Sequence, residues 1–70
     1  MKRNDLIREI RAAAKAKGIE FKLARHGANH DVWSCDGLMV PIPRHREIGS
    51  RALLDIRREL QPKLGMRWCL

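Results

Sequence analysis

Histidine is the residue type in this chain that can move a proton near neutral pH without a metal or a cofactor. His30 follows the glycine-led run Gly27-Ala28-Asn29 and precedes Asp31-Val32-Trp33. We expect the glycine turn to deliver His30 to the first position of a short strand. From these residues alone two interpretations stay open. His30 is either a proton-transfer residue or a polar surface residue at the edge of a strand.

Two further histidines are candidate assistants, because one imidazole cannot act as base and acid at once without a second group or water. His26 lies four positions before His30, and His45 lies in the polar loop Arg44-His45-Arg46-Glu47. The alternative for both is a solvated loop residue. Asp31 adjoins His30, but successive strand side chains point to opposite faces, so Asp31 is a poor orienting partner for it.

The charge balance indicates an anionic partner. Lys and Arg number 15 against 8 Asp and Glu, a formal net charge of +7, which favours phosphate backbones, acidic proteins or anionic membranes. Membrane binding is the least favoured, because we find no long apolar run and no signal peptide, and we expect a cytoplasmic location. The alternative is a solvated basic surface. The candidate phosphate contacts, which would be RNA contacts if the partner is RNA, flank the histidine turn or precede the second helix: Lys22, Arg25, Arg44 and Arg46.

The two cysteines, Cys35 and Cys69, are too few for a disulfide scaffold. Reduced thiols are the simplest account. A zinc site built from both cysteines with His26 or His30 matches no standard ligand spacing. We therefore expect no metal and no cofactor.

The chain is long enough for one domain, which we expect over residues 1–61, followed by a tail over 62–70. Asn4 is a good N-cap for a helix over residues 5–17 that Gly18 ends. Alternation predicts a strand over 19–24 with Ile19, Phe21 and Leu23 on its inner face. Strands over 30–35 and 38–42 are joined by Asp36-Gly37, a strong hairpin signal.

A second helix is expected from Gly49 or Ser50 to about Leu60, with Pro62 and Gly65 ending it. Its buried stripe is Ala52, Leu53, Ile56 and Leu60, with Ile48 just before it. The predicted fold class is α+β, an α-β-β-β-α two-layer fold with both helices on one face of a three-stranded antiparallel sheet. Pro41 and Pro43 predict that the third strand lies at a sheet edge. The tail from Met66 to Leu70 is apolar enough to dock somewhere, and its structure is not predicted from the sequence.

Over residues 2–60 the sequence resembles the HicA (YcfA-like) toxins of bacterial type II toxin–antitoxin systems. The matching stretches are Lys2-Arg3-Asn4-Asp5-Leu6-Ile7, the glycine-turn histidine followed by Val32-Trp33, Val40-Pro41, and Glu47-Ile48 leading into Ala52-Leu53-Leu54-Asp55-Ile56-Arg57-Arg58. Two departures stand out. Many members have one residue between the glycine and the histidine, where this chain has Ala28 and Asn29, and a usual Gly-Thr near the second helix is Arg51-Ala52 here.

The resemblance implies a fold like that of double-stranded-RNA-binding domains and an endoribonuclease that cuts mRNA. It implies inhibition by a HicB antitoxin, which would also carry any DNA binding. It further implies that the essential residue is the histidine of the glycine turn, which maps onto His30. Two alternatives stay open: a double-stranded-RNA-type binding module that does not cleave, and a small interaction protein that docks an acidic partner.

Overall fold

Two helices and an open three-stranded antiparallel sheet follow one another in the order α-β-β-β-α, in a computed structural model that describes residues 1–65 and 68. The elements are α1 (Arg3–Lys17), β1 (Phe21–His26), β2 (His30–Cys35), β3 (Leu38–Pro43) and α2 (Ser50–Leu64). The central strand is β2. The predicted α+β fold class is therefore confirmed. Neither helix has the length and apolar composition that crossing a bilayer requires.

Both helices bury their apolar stripes in one cluster with the sheet. The buried residues are Leu6, Ile10 and Ala14 of α1, Phe21, Trp33, Cys35, Val40 and Ile42 of the strands, and Ile48, Ile56, Leu60 and Leu64 at α2. Both alternating sets of β2 contain polar and apolar residues, so the pattern does not predict which set faces the core. In the structure the core-facing set contains Trp33 and Cys35, which are buried. Trp33 stacks on Phe21 with ring centroids 4.8 Å apart. Its burial makes Trp33 a core residue.

The hairpin between β2 and β3 forms as the sequence predicts. Cys35 pairs with Leu38 across a two-residue turn, in which Asp36 has φ 52° and Gly37 has φ 86°. Two positive φ angles are the signature of a turn whose twist matches that of the flanking strands. The strand order leaves β1 and β3 at the edges, which confirms the edge position predicted for β3.

The first helix begins earlier than predicted, and Asn4 is not its cap. The cap is Lys2, and the backbone carbonyl of Lys2 accepts the first helical hydrogen bond from Leu6 at 3.0 Å. Tertiary pairing fixes this start, because Lys2 forms a bridge with Glu47 and the Arg3 N–H donates to the Arg46 carbonyl at 2.9 Å. The segment before α2 therefore determines where α1 begins.

The first strand is shifted toward its C-terminus. It covers Phe21–His26 rather than 19–24, and Leu23 is 37% exposed although its alternation predicted a core position. The register against β2 also changes between Leu23 and Arg25, where Ala24 is an extra residue. A bulge of this kind bends an edge strand and re-aims the side chains beyond it.

The second helix passes through Pro62 and ends at Leu64, so the prediction that Pro62 ends it is wrong. Leu64 is buried in the core, and the packing of that last turn outweighs the hydrogen bond that proline cannot donate. The expected domain boundary at residue 61 thus lies inside α2. In the tail, Trp68 packs against the core and its indole N–H donates to the Arg57 carbonyl. The docking predicted for residues 66, 67, 69 and 70 concerns residues outside those described.

Candidate functional site

His30 is the first residue of β2 and its side chain is exposed, as the sequence predicts. In the turn before it, Gly27 lies close to the backbone of His30, because a Cβ added at Gly27 would overlap the carbonyl oxygen of His30. Glycine is therefore required at position 27 by space rather than by a positive φ angle. Across the ladder, His30 pairs with Pro43.

The surroundings of His30 are mixed in charge and polarity. His30 lines a groove of about 180 Å³ between β3 and α2, together with Pro41, Pro43, Asp55 and Glu59. The prolines form an apolar wall. The two carboxylates give this groove a negative charge, which disfavours a phosphate placed beside His30 from the α2 side.

The imidazole that the structure ties to a carboxylate belongs to His26. Its Nδ1 lies 3.1 Å from Oδ1 of Asp31. The bulge at Ala24 produces this contact, since His26 faces Asp31 in the observed register, whereas the register before the bulge would set it opposite His30. As expected, Asp31 points away from the His30 face of the sheet. It orients a different histidine instead.

Asp31 is a buried carboxylate shared by three cationic or hydrogen-bonding partners. Arg3 Nη2 lies 2.8 Å from its Oδ2, and Arg44 Nε lies 3.5 Å from its Oδ1. The Asp31 side chain is 8% exposed, whereas that of His26 is 68% exposed. Burial of an ionised carboxylate is tolerated when hydrogen bonds and opposite charges satisfy it. The Asp31 carboxylate is therefore held in place, and the His26 imidazole that it contacts is accessible to solvent.

The two arginines also fix the backbone around the histidine turn. Arg3 donates from Nε to the Pro43 carbonyl at 3.0 Å. Arg44 donates from Nη1 to the Gly27 carbonyl at 3.0 Å, and its backbone N–H donates to the Asn29 carbonyl at 3.1 Å. The turn between β1 and β2 is thereby held against the end of β3.

A cationic cavity opens beside this cluster at the start of α1. Its volume is about 440 Å³, and the charged residues that line it are Lys2, Arg3, Arg8, Arg44, Arg46 and Asp5. Five cations outnumber Asp5 in the lining and the adjacent Asp31, which pairs with Arg3 and Arg44. The N-terminus of α1 adds a partial positive charge, and the net charge favours an anion. Arg3 and Arg44 belong both to this cavity and to the Asp31 cluster. The structure therefore connects a cationic cavity to an imidazole that contacts a carboxylate.

The predicted cations separate into two groups. Arg44 and Arg46 line the cationic cavity. Lys22 instead forms an exposed ion pair with Glu20 at 3.3 Å, and Arg25 lines a separate groove of about 250 Å³ beside Met39.

One predicted residue, His45, and several residues that were not predicted have still to be placed in the structure. His45 is exposed in the loop between the two cavity arginines. Sequence reasoning missed Lys2, Arg3 and Arg8 as cavity residues, although the basic start of the chain was a usable signal. It also missed Asp31 as a partner of His26, because that contact depends on the bulge.

Cys35 is a buried thiol without the features of a reactive one. Burial raises its pKa above the ordinary value of 9.0, and the Asp36 charge acts in the same direction, while Lys63 opposes them. A neutral buried thiol is a poor nucleophile and a poor metal ligand. Within residues 1–65 and 68, the side chains form no cluster of three or more metal-ligating groups. Cys69, the other thiol of the zinc alternative, lies outside the described residues.

Comparison with known proteins returns no match among protein-family models, curated proteins or solved structures. The fold and site define a small basic α+β protein with a cationic cavity and a histidine–carboxylate pair. The likeness to the HicA toxins stays a prediction that rests on the residues quoted for it.

Proposed function

We propose that this protein is a metal-independent endoribonuclease and the toxin of a bacterial toxin–antitoxin system, with His30 as a general acid–base residue. The observation that carries the proposal is the link between two exposed imidazoles and a cationic cavity. His26 and His30 flank the turn whose Gly27 carbonyl is held by Arg44, and Arg44 also lines the cavity. Proton-transfer groups and a phosphate-binding surface therefore share one end of the sheet.

RNA is the polyanion that these groups suit best, because it carries its own nucleophile. A base removes the proton of the 2′-hydroxyl, the 2′-oxygen attacks phosphorus, and an acid protonates the departing 5′-oxygen. A positioned acid or base contributes about 10²–10⁴-fold to the rate. Cations near the phosphate stabilise the charge of the phosphorane. The expected product ends are a 2′,3′-cyclic phosphate, or a 3′-phosphate after hydrolysis, and a 5′-hydroxyl.

The proposed protein partner is an acidic HicB-like antitoxin. A formal net charge of +7 and the five cavity cations favour a negatively charged partner. Such a partner seated over the turn would inhibit by excluding RNA, and contacts with DNA would come through the antitoxin. We propose no membrane partner.

A second candidate is a double-stranded-RNA-type binding module that does not cleave. Asp55 and Glu59 favour it, because their charges line the groove of His30 and oppose a scissile phosphate on that side. Under this reading the cationic cavity binds RNA, and His30 is a polar surface residue.

Incubation of the purified protein with an end-labelled transcript in EDTA separates the two candidates. The nuclease fragments the RNA and leaves 2′,3′-cyclic phosphate or 3′-phosphate ends, whereas the binding module shifts the RNA intact. His30→Ala should abolish cleavage and growth arrest while RNA binding stays nearly unchanged. Fragments with 3′-hydroxyl and 5′-phosphate ends, or a His30→Ala protein that is as toxic as the parent, would overturn the assignment.

A further inference from the structure

We infer that His26 is a second catalytic residue, which protonates the 5′-oxygen, and that Asp31 is its positioning residue. The inference rests on the proposed ribonuclease function and names the group that works with His30. It starts from a contact that the two residues make across the β1–β2 ladder, 3.1 Å between Nδ1 of His26 and Oδ1 of Asp31.

The His26–Asp31 contact determines which ring nitrogen of His26 is available to a substrate. With Nδ1–H donated to the carboxylate, the other ring nitrogen, Nε2, is left for a ligand. The His26 side chain is 68% exposed, so Nε2 is accessible to a substrate. Nε2 is therefore the ring nitrogen that can donate a proton to a departing oxygen.

The carboxylate itself has little freedom to move. Asp31 is held by Arg3 at 2.8 Å and by Arg44 at 3.5 Å, and both arginines are anchored to backbone carbonyls. A positioned group of this kind is aligned before the substrate arrives. Because the same two arginines line the cationic cavity, a phosphate drawn into the cavity lies next to the cluster that orients His26.

The two histidines lie at the same end of the sheet, on either side of the β1–β2 turn. His26 lies beside Asp31 in the register, and His30 precedes Asp31 on the same strand, so the two side chains leave opposite faces of the sheet. For both imidazoles to act on one phosphodiester, the linkage must therefore pass over the turn at the end of the sheet and not over either face.

The proposed step balances as follows. His30 takes the proton of the 2′-hydroxyl, the O2′–P bond forms, and the P–O5′ bond breaks. The departing 5′-oxygen receives the Nε2 proton of the protonated His26, so that the products are a 2′,3′-cyclic phosphate, a 5′-hydroxyl and neutral His26. Solvent exchange returns both rings to their starting protonation states.

The test compares two RNA substrates of one sequence, one with the natural 5′-oxygen at the cleaved linkage and one with sulfur there. A thiolate leaves without protonation, so loss of the acid matters little for the second substrate. We expect His26→Ala and His26→Gln to lower the single-turnover rate on the oxygen substrate by about 10²-fold or more. On the sulfur substrate they should cleave within several-fold of the parent, while His30→Ala stays impaired on both.

The Asp31→Asn variant provides a second readout that a purely structural role would not change. If Asp31 acts by positioning His26, Asp31→Asn should slow cleavage of the oxygen substrate and spare the sulfur substrate, as loss of His26 does. The fold of the Asp31→Asn variant is checked by urea unfolding, and the exposed His26→Gln variant keeps the test independent of that result.

The outcomes separate the two levels of the proposal. If the parent protein does not cleave either substrate, the ribonuclease function fails. If the parent cleaves and His26→Ala cleaves the oxygen substrate at the parental rate, the ribonuclease function stands and the role of His26 fails. The assignment is also overturned if the sulfur substrate rescues His30→Ala instead of His26→Ala. The same holds if His45→Ala loses cleavage of the oxygen substrate and His26→Ala does not.

Discussion

The α-carbon of Gly27 lies so close to the backbone of His30 that a Cβ at position 27 would overlap the His30 carbonyl oxygen. The contact joins the two ends of the turn that carries both candidate imidazoles. It also explains the glycine without any appeal to a left-handed conformation, since a positive φ is found at Gly18, Gly37 and Gly65 but not at Gly27.

Gly27→Ala should therefore displace the turn. We expect a loss of about 1–3 kcal/mol in the free energy of unfolding, the range typical of overpacking, and a matching fall in RNA cleavage. Urea unfolding measures the first and single-turnover kinetics the second. Gly49→Ala is the matched control, because a Cβ at Gly49 meets no atom within 4 Å. Equal stability of the two variants would contradict the steric account of the turn.

Asp31→Asn tests the buried carboxylate as a structural element. Removing its charge leaves Arg3, whose side chain is 19% exposed, without its ionic partner. Loss of one member of a buried pair costs about 3 kcal/mol or more. Glu20→Gln removes the charge from an exposed pair with Lys22, where about 1 kcal/mol or less is expected. Urea unfolding of both variants at low and high salt provides the comparison, and similar losses would show that the Asp31 cluster contributes no more than a surface pair.

Arg44→Ala and Arg46→Ala test the cationic cavity as the RNA-binding surface. Each should weaken binding of a labelled oligonucleotide regardless of sequence and reduce the slope of log K against log salt by about 1. Fluorescence anisotropy over a salt series measures both quantities. Arg58→Ala removes an exposed cation of α2 that does not line the cavity. If Arg58→Ala has the same effect as Arg44→Ala, net charge rather than the cavity accounts for binding.

Stability at alkaline pH tests the environment of Cys35. Burial raises the thiol pKa in the folded protein above 9.0, so the folded state holds its proton more tightly than the unfolded state. This contribution is fully present below pH 9 and is lost as the pH rises from there through the folded pKa. We expect the free energy of unfolding to fall more between pH 8 and 10.5 for the parent than for Cys35→Ala. Parallel curves from urea titrations would mean that burial does not perturb the thiol.

The elements set by local signals could be predicted from the sequence, and those set by long-range pairing could not. Asp36-Gly37 specified its hairpin because the turn chemistry lies within two residues. The start of α1 was misplaced because it depends on residues 46 and 47, which pair with it across the fold. The end of α2 was misplaced because burial of Leu64 outweighed the proline signal.

The residues of the candidate site also separate into those indicated by neighbouring residues and those placed by long-range contacts. His30 was found because a glycine turn and a strand pattern flank it directly. The His26–Asp31 pair was not found, since one extra residue at Ala24 changes the partner of His26. Arg3 joins the cluster from 28 positions away, and no spacing in the sequence connects the two residues.

The two free margins of the sheet are chemically unequal. On β3, Pro41 and Pro43 have no amide hydrogen to offer a further strand, whereas β1 contains no proline. Addition of a strand is therefore favoured on the β1 side. If two copies joined through β1, the outward margins of the pair would both be β3, and growth would stop at two chains. A proline-bearing edge of this kind protects a small protein against fibrous aggregation.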